Sequence, residues 1–292
     1  MLDYLKKTYK FTFCLISPLF LVLSDTSFES YHWINEATFK GIRFLETLNI
    51  HNINIGLTKI ALIILVWIIV LVCYILYIKF NNRIFLKGDN YVVSIEYGDL
   101  FKSGDCKRVI SFDECYTTII GEAPYEIRKT SICGQYLEKK PNLKMQDLIK
   151  AAKIKPARAK SAYERKERYD SGTIVPNGDD LLMAFVRLDT YGRGRINRKE
   201  YVDCIFKMWE EIDLYKGEKD VCIPIIGAGV THFDNGSGVP MSPQELINII
   251  LMTYQLSPYK VKPPQKLRII CKRGNGFDLN DIDLNLKESI MS

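Results

Sequence analysis

The sequence predicts an α/β domain with a central sheet flanked by helices, carried behind an N-terminal transmembrane helical hairpin. Three observations predict it. Apolar residues crowd into the chain ahead of Asn90, so that the two parts of the 292 residues read as different classes of protein. Ile60–Ile78 is an unbroken apolar run. From Tyr91 onward short apolar strands alternate with helical stretches, the pattern of an α/β domain.

The first hydrophobic segment, Phe11–Leu23, reads FTFCLISPLFLVL, with Pro18 in its middle and Lys6, Lys7 and Lys10 before it. A signal peptide is the alternative, but LVLSDT at Leu21–Thr26 lacks a small-x-small cleavage site. With Tyr9 and Ser24 included and Lys10 snorkelling, a short span over about 9–24 is predicted. The second segment, IALIILVWIIVLVCYILYI, would cover roughly 28 Å as a helix against roughly 30 Å of hydrocarbon, and a helix is predicted over about 57–80. It has no polar face, which argues against a core helix of a soluble domain. Tyr74, Tyr77, Lys79 and Arg83 suit an interfacial anchor.

Basic residues precede the first segment and follow the second (Lys79, Arg83, Lys87), so both flanks are expected on the cytoplasmic side. The connecting segment 25–56 carries Asp25, Glu29, Glu36 and Glu46 against Lys40 and Arg43, which suits the outer side. Within it Ile34, Ala37, Gly41, Leu45 and Leu48 recur at helical spacing, either as an interfacial helix or as a loop packing its aromatics locally. A composition break near Lys87–Asn90 separates a transmembrane region, 1–87, from a cytoplasmic domain, 88–292.

In that domain strands are predicted at Tyr91–Ile95, Val109–Phe112, Leu181–Val186, Val221–Ile226 and Leu267–Cys271. Helices are predicted at Lys144–Lys153, Asn197–Tyr215 and Ser242–Gln255, the last opening with an N-cap serine, a first-turn proline and the acid Glu245. The net charge of +6 is too mild to indicate nucleic acid. Lys139–Arg168 nevertheless holds eleven basic residues against three acids. A solvated helical face and a contact with anionic lipid headgroups are two readings, a lid or an oligomer contact are others, and no aromatic interleaving supports RNA. The eight cysteines are scattered singly, which fits free thiols and argues against a structural zinc site.

The stretch CIPIIGAG, Cys222–Gly229, runs an apolar strand into two glycines ahead of a helix. Such a turn either offers backbone N–H groups to a phosphate or is a plain structural turn. The strand ending VSIEYGDL (Val93–Leu100), the strand VISFDE (Val109–Glu114) and the loop IPIIGAGV (Ile223–Val230) follow one another along the chain. That order resembles an ADP-ribose-binding macro domain over about Tyr91–Leu279, with a central mixed sheet. Taken with the hydrophobic pair, the stretches SFDECYTT, SICGQYL, SGTIVPNGDDLLMAFVRLD and PIIGAG resemble the membrane-anchored macro-domain effectors of Thoeris anti-phage defence systems.

The resemblance implies that a TIR-domain partner enzyme makes the signalling nucleotide, an ADP-ribose derivative such as an amino-acid conjugate, which the macro domain senses. Homo-oligomers would then form and disrupt the lipid bilayer, here the bacterial inner membrane. It also implies that Asp99 accepts a hydrogen bond from the adenine amino group, that Leu100 lends its backbone, and that Gly227, Ala228, Gly229 and Val230 wrap the diphosphate.

Departures bear on the chemistry. Hydrolytic macro domains carry an asparagine and a glycine-rich first loop where this chain has Asp113 and Glu114, then Ser131, Ile132, Cys133, Gly134 and Gln135. Binding without catalysis is therefore expected, with a membrane-tethered ADP-ribosyl hydrolase as the alternative. Asp113 and Gln135 either read an extra group on the signal or serve loop and cap chemistry. Gly172 and Thr173 return the chain to the pocket after the basic segment. Arg193 and Arg195 in TYGRGR read as a glycine-flanked surface turn, and Cys133 has no histidine nearby in sequence to make it a nucleophile.

Overall fold

A computed structural model of the chain describes residues 50–80, 82–229, 231–233, 241–274 and 276–282. The predicted first span over 9–24, the proposed interfacial helix Ile34–Leu48 and Val230 lie outside the described residues. Two compact units divide the chain, Met1–Asn81 and Asn82–Ser292.

In the first unit α1 covers Ile50–Phe80, starting earlier than the apolar run that predicted it. Its segment Ile55–Cys73 has a mean hydropathy of 2.8 and is long and apolar enough to cross a membrane. Ile60, Leu65, Ile69 and Ile75 stand exposed along α1.

The second unit is built on a nine-stranded mixed sheet. Its sequence-ordered elements are β1 (Arg83–Gly88), β2 (Tyr91–Tyr97), β3 (Cys106–Asp113), α2 (Ile132–Lys139), α3 (Met145–Ala151), β4 (Ile174–Asn177), β5 (Asp180–Leu188), β6 (Gly194–Ile196), α4 (Arg198–Tyr215), β7 (Asp220–Pro224), β8 (His232–Phe233), α5 (Pro243–Leu256) and β9 (Leu267–Cys271). The sheet begins ahead of the composition break near Lys87–Asn90, because β1 pairs antiparallel with β2 from Arg83 to Gly88. The spatial order is β1-β2-β9-β7-β3-β5-β6-β8, with β4 on β5. β2, β9, β7, β3 and β5 are mutually parallel.

Alternation along the parallel strands builds two cores. Val109, Leu181, Met183, Val221, Ile223 and Ile269 face α4 and α5, where Trp209 and Tyr254 meet edge-on at 4.8 Å. Ile110, Phe112, Leu182 and Ala184 face Cys133, Tyr136 and Leu137 of α2 and Met145 and Ile149 of α3. Strands buried on both faces read as near-continuous apolar runs, which is why LLMAFV at Leu181–Val186 was visible in the sequence. Both long helices start on capping boxes, Asn197 with Glu200 and Ser242 with Glu245.

The basic segment Lys139–Arg168 is not one helical face. Only its start is helical, through the end of α2 and through α3. The remainder folds back on itself through Ala157 N–H to Arg168 O (2.8 Å) and Ser161 N–H to Lys166 O (3.0 Å). It is held to the sheet by the buried carboxylate of Glu114. One Glu114 oxygen accepts from Ser161 Oγ (2.5 Å) and Leu188 N–H (3.1 Å), the other from Arg168 (3.3 Å).

Candidate functional site

In an open parallel sheet the binding crevice lies outside the carboxyl ends of the strands, where connections leave in opposite directions. Here that place is between β3 and β7. The chain leaves β3 through α2 and α3 towards β5, whereas from β7 it passes through α5 to β9 on the other side. Asp113 ends β3, the glycine loop follows β7 at Pro224, and Asp99 follows β2. The fold thus brings Asp99, Asp113 and Gly227–Gly229 to one edge.

At the β2 end, Asp99 caps a 3-10 turn, Leu100–Lys102, by accepting from Phe101 N–H at 2.9 Å. Leu100 is buried against Cys106, Cys222 and Ile270. Arg268 fixes this turn from beneath. Its Nη1 donates to Ser103 O at 2.6 Å, while its Nε and Nη2 grip the buried Glu96 carboxylate at 2.9 and 2.6 Å. Tyr97 and Phe277 close this end, edge to face at 5.9 Å, and the Arg273 guanidinium lies 4.6 Å from the Tyr97 ring centre. None of Arg268, Phe277 and Arg273 stood out in the sequence, because their placement beside Asp99 depends on β9 pairing with β2.

The glycine loop is shaped from below. Tyr201 donates to Ile226 O at 2.9 Å, and Ala228 N–H closes a turn on Ile225 O at 3.3 Å. Gly227 has φ +86, and a Cβ there would stand 3.1 Å from Phe233, 3.3 Å from Phe185 and 3.4 Å from Tyr201. Backbone sign and packing both require glycine. Gly229 differs, since nothing lies within 4 Å of where its Cβ would point. The loop is thus rigid on its buried side and open on the other.

The start of α2 follows the turn after β3. Ser131 caps it, accepting from Gly134 N–H at 3.0 Å. A Cβ on Gly134 would stand 2.3 Å from Arg128 O, so only glycine lets the helix approach that backbone. The Cys133 thiol is buried, and burial, with the Asp113 charge adding to it, pushes its pKa well up. The thiol is therefore not an activated nucleophile; a helix start offers an anion its first-turn N–H groups. The Gln135 amide donates to Thr130 O at 3.1 Å. Thr173 sits at the head of β4, its carbonyl accepting from Ala184 N–H at 2.9 Å and from Tyr116 at 2.8 Å. Since Ala184 is level with Phe112, Thr173 lies short of the carboxyl edge that Asp113 occupies.

Asp113 makes a local turn, one oxygen accepting from Cys115 N–H (2.8 Å) and Thr117 N–H (3.2 Å). Burial raises its pKa; Thr117 and Cys115 oppose the rise and the neighbouring Glu114 charge adds to it. A raised folded-state pKa means that this group's contribution to stability is whole at low pH and is lost as pH rises through the folded value. An asparagine keeps the accepting oxygen and has no charge to bury. Asp113→Asn is therefore expected to melt above the wild type at pH 7, with the gap closing towards pH 4. Equal melting temperatures at both pH values would refute the assignment.

A family model described as the macro domain of Thoeris protein ThsA matches residues 93–272. The chain is 29% identical over 244 residues to Thoeris protein ThsA of Bacillus amyloliquefaciens (strain Y2), covering 77% of this chain and 80% of that protein. Among solved structures it is similar to a mutant Oceanobacillus iheyensis macrodomain with ADPR. There the TM-score is 0.45 and the identity 12%, covering 72% of this chain and 100% of that one. The same macrodomain with ADP gives a TM-score of 0.42 and 10% identity, covering 71% and 98%.

Proposed function

The chain belongs to the Thoeris ThsA macro-domain family, and from that premise we propose that it is an anti-phage defence effector that senses an ADP-ribose-derived nucleotide. The observation that carries this reading is the convergence of Asp99 and the open face of Gly227–Gly229 on one carboxyl edge, at the switch point between β7 and β3. Adenine sits against Asp99 and the Leu100 backbone. The diphosphate rests on the glycine loop, with Val230 continuing it, and on the start of α2 at Cys133 and Gly134. Asp113 and Gln135 line the far side, with Thr173 set back behind them. The domain, 88–292, acts by binding rather than hydrolysis, because the turn after β3 offers no asparagine and the Cys133 thiol is buried.

The signal is made by a TIR-domain partner. Its binding drives protomers together on the cytoplasmic face of the inner membrane, and the N-terminal hairpin, of which α1 is the second span, then breaches the bilayer. Such coupling requires the nucleotide to bind the assembled state more tightly than the resting one. Vesicles carrying the full chain should leak dye when an ADP-ribose derivative is added and stay tight without it.

Asp99 supports its own turn, so the informative substitution is Asp99→Asn, which keeps the capping oxygen and turns the other atom into a donor facing the adenine amino group. Calorimetry with ADP-ribose should show a loss of about tenfold or more in affinity, as expected for an unmatched hydrogen bond to a charged group. Unchanged affinity would remove Asp99 from the adenine site. Mass spectrometry of the recovered ligand separates sensing from the hydrolase alternative: intact nucleotide supports sensing, and turnover overturns it.

A further inference from the structure

Asn82 and Arg83 open the second unit, and at most about 10 Å of chain separates Arg83 from Phe80 at the end of α1. Both are bonded to β2, the strand that carries the Asp99 turn. Arg83 stands opposite Glu96 in the β1–β2 register, and its Nε contacts Glu96 Oε2. The other oxygen, Oε1, is held by Nε and Nη2 of Arg268, whose Nη1 donates to Ser103 O at the far side of the turn. On the near side Tyr97 N–H donates to Asn82 O at 3.0 Å, and Arg273, which lies over the Tyr97 ring, donates to the Asn82 side chain. The segment leaving α1 thus braces the turn directly at Tyr97 and, through two side chains, at Ser103.

The Glu96 carboxylate is the sensitive link in this chain of contacts. With Arg83 in place each of its oxygens has its own guanidinium, and Arg268 commits both Nε and Nη2 to Oε1. Without Arg83, Oε2 is left with Ser94 Oγ, 3.5 Å away. A guanidinium facing a carboxylate favours one donor on each oxygen, so Arg268 then swings to grip both and draws Nη1 off Ser103 O. That loosens the 3-10 turn Leu100–Lys102, which Asp99 caps at one end and Ser103 at the other. Because 47% of the Arg83 side chain is exposed, its loss acts on this carboxylate and leaves the core packing intact.

We infer that Arg83 is a positioning residue of the adenine site, acting through Glu96 and Arg268, and that it ties nucleotide binding to the segment that leaves α1. By linkage the tie works in both directions: whatever shifts Asn82 and Arg83 changes the affinity for nucleotide, and the nucleotide biases those residues in return. The inference rests on the nucleotide-binding reading above.

Calorimetry on the full chain in detergent micelles compares ADP-ribose with inosine diphosphate ribose, in which a carbonyl replaces the adenine amino group. The wild type should prefer ADP-ribose by about tenfold or more, the size of a hydrogen bond to a charged group. Arg83→Gln should shrink that preference to about threefold or less by weakening ADP-ribose alone, the part of the bond that a misplaced turn still makes. Arg83→Lys, which keeps a cation on Glu96, should restore most of it. Hydrogen exchange over residues 82–86 should slow when ADP-ribose saturates the wild type and stay as in the free protein for Arg83→Gln. An unchanged preference in Arg83→Gln, an equal loss for both probes, or wild-type exchange that ADP-ribose leaves unaltered would overturn the inference. A wild type that binds neither probe, or both equally, would overturn the placement of adenine at Asp99, and this inference with it.

Discussion

Gly229→Glu is expected to abolish binding of ADP-ribose while leaving the melting temperature of the domain within a degree or so of the wild type. The two halves of that result come from different facts. Nothing lies within 4 Å of a Cβ at Gly229, so the new side chain enters open space without displacing the fold. That open space is where the diphosphate is proposed to lie. A carboxylate there occludes the loop and sets a negative charge against the phosphates. Losing two or more charge-assisted contacts, at about 1.5–3 kcal/mol each, lowers affinity by at least about a hundredfold. Gly227 is the internal control. With its φ of +86 and aromatic rings 3.1–3.4 Å from the Cβ position, Gly227→Val should lose binding and stability together. Calorimetry paired with a thermal melt reads both quantities, and a Gly229→Glu protein that binds with wild-type affinity would move the diphosphate off this loop.

That distinction between two glycines of one GAG turn shows where the sequence stops being legible. The strand running into glycines is visible as a pattern, because buried parallel strands leave apolar runs and positive φ selects glycine. Which glycine is structural and which faces solvent depends on Phe185, Tyr201 and Phe233, brought under the loop from three separate elements. The same holds for Asp99. Its position after an apolar strand is readable, but the Arg268 clamp that holds its turn comes from the far end of the chain. Short elements were illegible for a different reason. β6 and β8 are too brief to show a period, and Pro176 in β4 argues against a strand unless it lies at an edge. Helix α2 went unread because SICGQYL is short and contains a glycine, although Ser131 caps it in the ordinary way. The capping boxes of α4 and α5 are local signals, so those helices were legible almost to the residue.

Glu114 is a carboxylate that holds the domain together. It follows Asp113, where a catalytic group would be sought, yet its side chain is buried and both oxygens are committed. Its backbone is committed too, since Glu114 N–H donates to Val186 O at 2.8 Å and Tyr169 N–H donates to Glu114 O at 2.7 Å. The carboxylate is therefore the point at which the basic segment, the end of β3 and the end of β5 meet. Glu114→Ala strands Leu188 N–H and Ser161 Oγ without their acceptor and leaves the Arg168 guanidinium, 24% exposed, without a counter-charge. The buried donor and the broken ion pair together cost roughly 3 kcal/mol. For a domain of this size that is a fall of roughly 10 °C in melting temperature. Glu114→Gln keeps one acceptor for the two neutral donors and loses the ion pair alone, so its fall should be less than half as large. Because the same contacts strap down Ala157–Arg168, trypsin should cut the Ala variant first at the lysines and arginines of that segment. An Ala variant that melts with the wild type and resists trypsin equally would show that the backbone bonds of Glu114 and Tyr169 hold the segment without the carboxylate.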